Sequence, residues 1–151
     1  MSGGKGKMEK GKGAVAPRLA RLRDFTELEV WQVARKLRAE IYRLTATFPP
    51  EEKYGLTSQM RRAAISITAN LAEGYGRFSY QENIQFCRQS RASVDELRDH
   101  LTTALDAGHF SREVYEATEN LAMQAIRLVN GYIRRTKALK AEAQRGMHAS
   151  G

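Results

Sequence analysis

Residues 54–77 form a proline-free stretch, opened by Gly55 and closed by Gly74 and Gly76, in which two stripes repeat at helical spacing. Leu56, Met60, Ala63, Ala64, Ile67, Leu71 and Gly74 recur three or four residues apart and make a narrow apolar seam of mostly small side chains. A polar row runs beside it: Ser58, Arg62, Ser66, Asn70 and Glu73. Small side chains let another helix come close, so this segment calls for tight helix packing and not for a catalytic loop.

The rest of the chain carries the same period. A first helix is expected from about Thr26, with Thr26 and Glu29 as a capping box and Phe25 and Val30 as a staple. Its stripe is Leu28, Trp31, Ala34, Leu37, Ile41, Leu44 and Phe48, and Pro49-Pro50 ends it. The second helix runs from about Leu56 to Glu73, with Gly74-Tyr75-Gly76 as terminator. Ser79 and Glu82 cap a third, which buries Ile84, Phe86 or Cys87, Val94, Leu97, Leu101 and Leu105 and stops at Gly108. Ser111 caps a fourth, with stripe Val114, Ala117 or Thr118, Leu121, Ala125, Leu128, Tyr132, Ile133 and Leu139. No segment alternates with period two. The expectation is an all-α, antiparallel up-down-up-down four-helix bundle over residues 24–140. It is flanked by a disordered basic arm, 1–23, and a flexible C-terminal tail, 141–151.

Several segments together resemble a known family. They are residues 54–76, Phe25-x-x-Leu28-x-Val30-Trp31-Gln32-x-Ala34, Phe48-Pro49, and Ser93-x-x-Glu96-Leu97. The chain is similar over about residues 24–135 to the four helix bundle proteins, many of them encoded in intervening sequences of bacterial 23S ribosomal RNA genes. The resemblance implies an antiparallel bundle that assembles into a ring, with five subunits favoured. It also implies a fold similar to the accessory proteins of diversity-generating retroelements, basic barrels that bind nucleic acid and a reverse transcriptase. Ala92 departs from a common glycine, and the N-terminal arm is not covered. The resemblance carries over no catalytic residue.

Charge is placed unevenly. Lys5, Lys7, Lys10, Lys12, Arg18, Arg21 and Arg23 stand against Glu9 alone in residues 1–23. Arg134, Arg135, Lys137, Lys140 and Arg145 stand against Glu142 in residues 131–151. The intervening 24–130 hold 13 basic and 15 acidic side chains. In an up-down bundle the start of helix one, the second loop with Arg77 and the end of helix four share one pole. There the basic groups would attract a polyanion. The basic ends read as nucleic-acid-binding, as a surface for an acidic protein, or as solubility alone. The tails lack interleaved aromatics, and of Tyr75, Phe78 and Tyr80 near Arg77 at least one is expected in the core. Binding would therefore be backbone-directed and sequence-tolerant.

The polar row of helix two faces a comparable row in helix three: Gln85, Gln89, Ser93, Glu96 and His100. These are either solvated faces or a helix–helix or subunit seam, in which Arg62 pairs Glu73 or Glu96 and Asn70 bonds Ser93. The resemblance favours the seam. No cofactor or metal is called for: His100, His109 and His148 have no ligand spacing, and Cys87 reads as a small buried side chain. No apolar run approaches the ~20 residues of a membrane span and no signal-peptide pattern is present, so a cytoplasmic protein is expected. The composite expectation is a non-enzymatic homo-oligomer that binds RNA or DNA, as an accessory to RNA processing or a reverse transcriptase. The alternative is a structural or protein-interaction oligomer with no nucleic-acid role.

Overall fold

The computed structural model describes residues 22–150, and among them it contains four α-helices and no strand. They are α1 (Glu29–Thr45), α2 (Leu56–Tyr75), α3 (Tyr80–Asp106) and α4 (Arg112–Ser150). Single 3-10 turns, Phe25–Glu27 and Pro50–Glu52, precede α1 and α2. Each helix packs on its two chain neighbours and α4 closes back on α1, with no diagonal contact. The square is antiparallel throughout. Residues 62, 66, 67 and 74 of α2 meet residues 96, 93, 90 and 83 of α3 in that order. Likewise Arg98, Arg91 and Asn83 of α3 meet Glu119, Asn130 and Tyr132 of α4.

The helix termini show where local chemistry decides. Ser79 and Ser111 act as N-caps, accepting from Glu82 N–H at 3.0 Å and Val114 N–H at 3.1 Å. At the end of α3, His109 N–H bonds Ala104 C=O at 2.9 Å and Gly108 N–H bonds Leu105 C=O at 3.0 Å. Gly108 has φ +77, the left-handed conformation that this Schellman closure needs.

Several expectations are corrected. Thr26 and Glu29 form no capping box. Asp24 accepts from the Thr26 N–H at 2.8 Å and from its hydroxyl, which builds the 3-10 turn instead, and Phe25 packs edge-on against Trp31, ring centres 5.2 Å apart. Next, α1 stops at Thr45, before the prolines, because i→i+3 bonds from Thr47 and Phe48 N–H tighten the exit and Thr47 Oγ1 takes up the Leu44 carbonyl.

The expected stop at Gly74-Tyr75-Gly76 holds, since α2 ends at Tyr75 with Gly76 as its C-cap, but Gly74 itself serves packing. It lies inside α2, and a Cβ there would fall 2.8 Å from Asn83 Oδ1 and 2.9 Å from Phe86 Cβ. Finally, the α4 core row is Thr118, Ala122, Ala125, Val129, Tyr132, Ile133 and Thr136, with Leu121 and Leu128 half-buried beside it. This row faces both α3 and α1, and it mixes small side chains (Thr118, Ala122, Ala125) with the large buried Tyr132.

The helix also continues to Ser150, where a flexible tail from 141 was expected. Leu139 marks the end of burial and not of helix, since Ala141, Glu142, Ala143 and Gln144 are strong helix formers extending an existing nucleus.

The core gathers Leu37, Ile41, Met60, Ile67, Leu71, Ile84, Val94, Leu97, Leu101, Val129 and Tyr132, all buried. One polar chain crosses it: Cys87 Sγ donates to Asn83 Oδ1 (3.6 Å), and Asn83 Nδ2 donates to the Tyr132 hydroxyl (3.1 Å). At the opposite pole His109 joins the α1–α2 loop to the α3–α4 loop. Its Nε2 lies 2.8 Å from Glu52 Oε2 and its ring 4.9 Å from that of Phe48.

Two predictions follow from this packing. Gly74→Ala gains about 1 kcal/mol of helix propensity but sets a methyl against a Cβ that cannot rotate away, an overpacking cost of about 1–3 kcal/mol. Its thermal midpoint should fall below wild type. Gly76→Ala, whose Cβ would meet nothing nearer than 3.7 Å, should not fall, and equal midpoints for the pair would refute the close contact. At the other pole, the bond to His109 and the Leu56 N–H hold the Glu52 carboxyl below its ordinary value of 4.5. A lowered carboxylate stabilises the fold fully above 4.5 and stops doing so as pH falls through the lower folded-state value. Urea unfolding against pH should therefore show an acid limb that Glu52→Gln flattens.

Candidate functional site: the basic pole and the α2–α3 seam

The topology brings the start of α1, the α2–α3 loop and the last third of α4 to one pole. The Tyr75 hydroxyl donates to Leu22 C=O at 3.4 Å, and Lys140 Nζ donates to Gln81 Oε1 at 2.7 Å. Arg23, Arg77 and Lys140 thus share that end, while Lys5, Lys7, Lys10, Lys12, Arg18 and Arg21 lie outside the described residues. Charges at this pole are not equally free. Arg23 is paired with Glu27 at 2.7 Å, and Arg77 with Glu73 at 2.5 Å, its guanidinium 4.8 Å above the Phe86 ring. Arg134, Arg135 and Lys137 are exposed on α4 and meet no carboxylate among the described residues. Beyond them α4 runs on with Arg145 exposed.

A cleft of about 460 Å³ opens beside the loop, lined by Ala72, Glu73, Gly76, Arg77, Phe78, Ser79 and Glu82. Two carboxylates against one guanidinium make it a poor phosphate cradle. The unmatched positive charge lies on α4. Phe78 is fully exposed at the rim, whereas Tyr75 packs against the core and Tyr80 is half-buried. The sequence reading named Phe78 with Tyr75 and Tyr80 at this pole and expected at least one in the core, without deciding which. The position of Phe78 in the short break between Gly76 and the Ser79 cap was the available signal, since no helix stripe can bury it there.

The seam residues divide. Arg62 pairs with Glu96, which also receives His100 Nε2 at 3.3 Å, and Arg62 Nη2 donates to Gln59 Oε1 at 2.8 Å. Ser66 and Ser93 share a 2.8 Å hydrogen bond between hydroxyls. Asn70 does not bond Ser93: its amide donates back to Ser66 C=O at 2.9 Å and to Ser66 Oγ at 3.0 Å. Glu73 pairs with Arg77 and stays out of the seam. Deeper, Ser90 Oγ donates to Ile67 C=O at 2.8 Å. These bonds lie within one subunit and close the outer edge of the α2–α3 interface.

Ionisable groups that could do chemistry are scarce among the described residues. Burial pushes the Cys87 thiol up to about 12, so it stays protonated and unreactive at neutral pH. Burial likewise pushes the Tyr132 phenol up to about 12. No cluster of three or more His, Cys, Asp or Glu side chains suited to a metal occurs among the described residues. No helix among them is long and apolar enough to cross a membrane.

Comparison with known proteins agrees with this architecture. The chain superposes with a TM-score of 0.65 on a protein of unknown function from the S23 ribosomal protein family of Bacteroides thetaiotaomicron. The two are 20% identical, over 69% of this chain and 97% of the other. No match to a curated protein is found. The family description "23S rRNA-intervening sequence protein" matches residues 26–131, from the 3-10 turn before α1 to the middle of α4. By that match the chain belongs to the 23S rRNA-intervening sequence protein family.

Proposed function

We propose that this protein is a non-enzymatic, ring-forming four-helix bundle that holds nucleic acid through the phosphate backbone at its basic pole. It would serve as an accessory to RNA processing or to a reverse transcriptase. The observation that carries the reading is the second half of α4. There Arg134, Arg135 and Lys137 stand exposed without carboxylate partners, on a helix that outruns the core toward the pole of Arg23 and Arg77. Free cations on a rigid rod can meet successive phosphates without first breaking an ion pair. The sequence before Leu22 holds further lysines and arginines, and the described chain enters α1 at this pole. A ring repeats the arrangement on one face, and repetition raises avidity without new contacts. Lacking a cleft that reads base edges, the pole contacts phosphate and is indifferent to sequence.

The competing reading is a protein-interaction oligomer with no nucleic-acid role, and exposed Tyr42 and Ile65 on the side of the bundle favour it. A gel-shift titration with structured RNA separates the two. If about six to ten phosphates are engaged, affinity should fall about 10³- to 10⁵-fold between 50 and 200 mM salt. Removal of residues 1–23, or Arg134→Glu with Arg135→Glu, should weaken binding and flatten the salt slope. Affinity indifferent to salt and to both changes would leave the competing reading standing.

A further inference from the structure

The α1–α2 groove holds three guanidinium groups that meet no carboxylate. Arg38 Nη1 donates to Thr68 Oγ1 at 2.8 Å. Arg61 Nε donates to Thr45 Oγ1 at 2.8 Å, with its guanidinium 4.5 Å from the Tyr42 ring centre. Arg35 lies over Trp31 at 5.7 Å. The acidic residues of α1 and α2 are Glu29, Glu40 and Glu73, of which Glu40 holds Arg43 and Glu73 holds Arg77. At about 100° per residue, Glu29 and Glu40 project on the far side of α1 from Arg38 and Tyr42. Tyr42 is 39% and Ile65 45% exposed in the same groove. These arginines are oriented by hydroxyls and rings, and their remaining N–H groups are open to an acceptor.

The opposite flank of the square is the complement. Asp95, Asp99, Asp106, Glu113 and Glu116 are exposed on α3 and α4. Arg98 holds Glu119 Oε2 at 2.7 Å and Asp95 at 3.3 Å, yet Glu119 Oε1 is buried with no partner. A cleft of about 480 Å³ lies among Asp95, Arg98, Asp99, Thr102, Tyr115 and Glu119. One chain therefore carries unmatched guanidiniums beside exposed apolar side chains on one flank, and on the other Asp99, Asp106 and Glu113 with no cation partner among the described residues, while Asp95 and Glu116 are held by Arg98 and Arg112.

We infer that subunits associate head to tail, the α1–α2 groove of one copy receiving the acidic α3–α4 flank of the next. This rests on the multimer reading above and assigns the surfaces that build it. A two-fold dimer through either flank would set like charges against each other, so the contact is heterologous and propagates. Arginine with tyrosine and an aliphatic anchor is a composition that suits a protein contact, where Arg–carboxylate forks give register. A phosphate chain could satisfy the guanidiniums but would leave Ile65 exposed and the acidic flank unmatched.

The test is solution mass by light scattering on the full chain, with Arg61→Glu, Asp99→Arg, the double variant, and Ile65→Glu. The last replaces a side chain that is 45% exposed and makes no hydrogen bond, and so guards against a folding artefact, and circular dichroism reports the fold of all four. Wild type should be a multimer. Each single variant should fall to the monomer mass of 17.0 kDa, and Arg61→Glu with Asp99→Arg should regain the wild-type mass. A monomeric wild type overturns both this inference and the multimer reading. A multimeric wild type whose single variants keep their mass overturns this inference alone. Unchanged mass with lost RNA affinity in Arg61→Glu would make the groove a phosphate track instead, and loss on one flank only would overturn the head-to-tail pairing.

Discussion

At Gly74 an added methyl would lie 2.8 Å from Asn83 Oδ1 and 3.1 Å from the Asn83 carbonyl, and this approach of α2 to α3 sets the spacing on which the bundle is built. A helix pair this close cannot admit large side chains, and it does not: Ala63 and Ser90 are buried along it and Ser66 meets Ser93. The backbone itself becomes a partner, since the buried Ser90 hydroxyl bonds the Ile67 carbonyl at 2.8 Å. The same contact fixes Asn83, whose amide reaches across to Tyr132, so α2, α3 and α4 are registered by a single buried chain of bonds. Buried polar groups are costly unless paired, which favours one alignment of the three helices over neighbouring ones.

From that register the poles follow. With α3 antiparallel to both neighbours, Gln81 at its start stands beside Lys140 on α4, and the chain entering α1 passes the end of α2 at Tyr75. Excess positive charge is drawn to one end by topology, not by any local motif. The other end is closed by the His109–Glu52 pair and by the Phe48 ring, with His109 tilted and Phe110 edge-on against it. One pole is stapled and the other is drawn out into a helical rod.

Helix number, order and the approximate bounds of α2 and α3 were legible because small, periodic stripes and Ser/Gly termini are local signals. Cys87 as a buried side chain was legible for the same reason. What escaped was everything depending on a partner helix. Gly74 looked like a terminator because its contact with Phe86 involves a different segment. Ala122 and Val129 lost to Leu121 and Leu128 because hydrophobicity ranks size, whereas the phase of the buried row on α4 is set by which positions face both α3 and α1. Asn70 was given to Ser93, but the Ser66 carbonyl one turn back on its own helix was within easier reach. Arg38 and Arg61, thirty and sixteen residues from the hydroxyls they bond, are ordinary surface arginines until α1 and α2 are laid side by side.

The distribution of ion pairs distinguishes the surfaces more sharply than net charge does. On the α2–α3 edge Arg62 has Glu96, and on the α3–α4 edge Arg98 has Glu119 and Asp95, so those arginines are occupied with the protein's own carboxylates. On α1–α2 the arginines rest on hydroxyls and rings, and on the second half of α4 they meet no carboxylate among the described residues. Exposed ion pairs contribute little to stability, about 0–1 kcal/mol each, so the fold loses little by leaving some cations unmatched. A guanidinium propped over tyrosine keeps its orientation while its outer N–H groups stay open, which suits a carboxylate that arrives in fixed geometry. A bare arginine on a projecting helix keeps its freedom, which suits a phosphate chain that presents charge at many positions. The two kinds of unmatched arginine are thus suited to two different acceptors, and they lie on surfaces that need not compete.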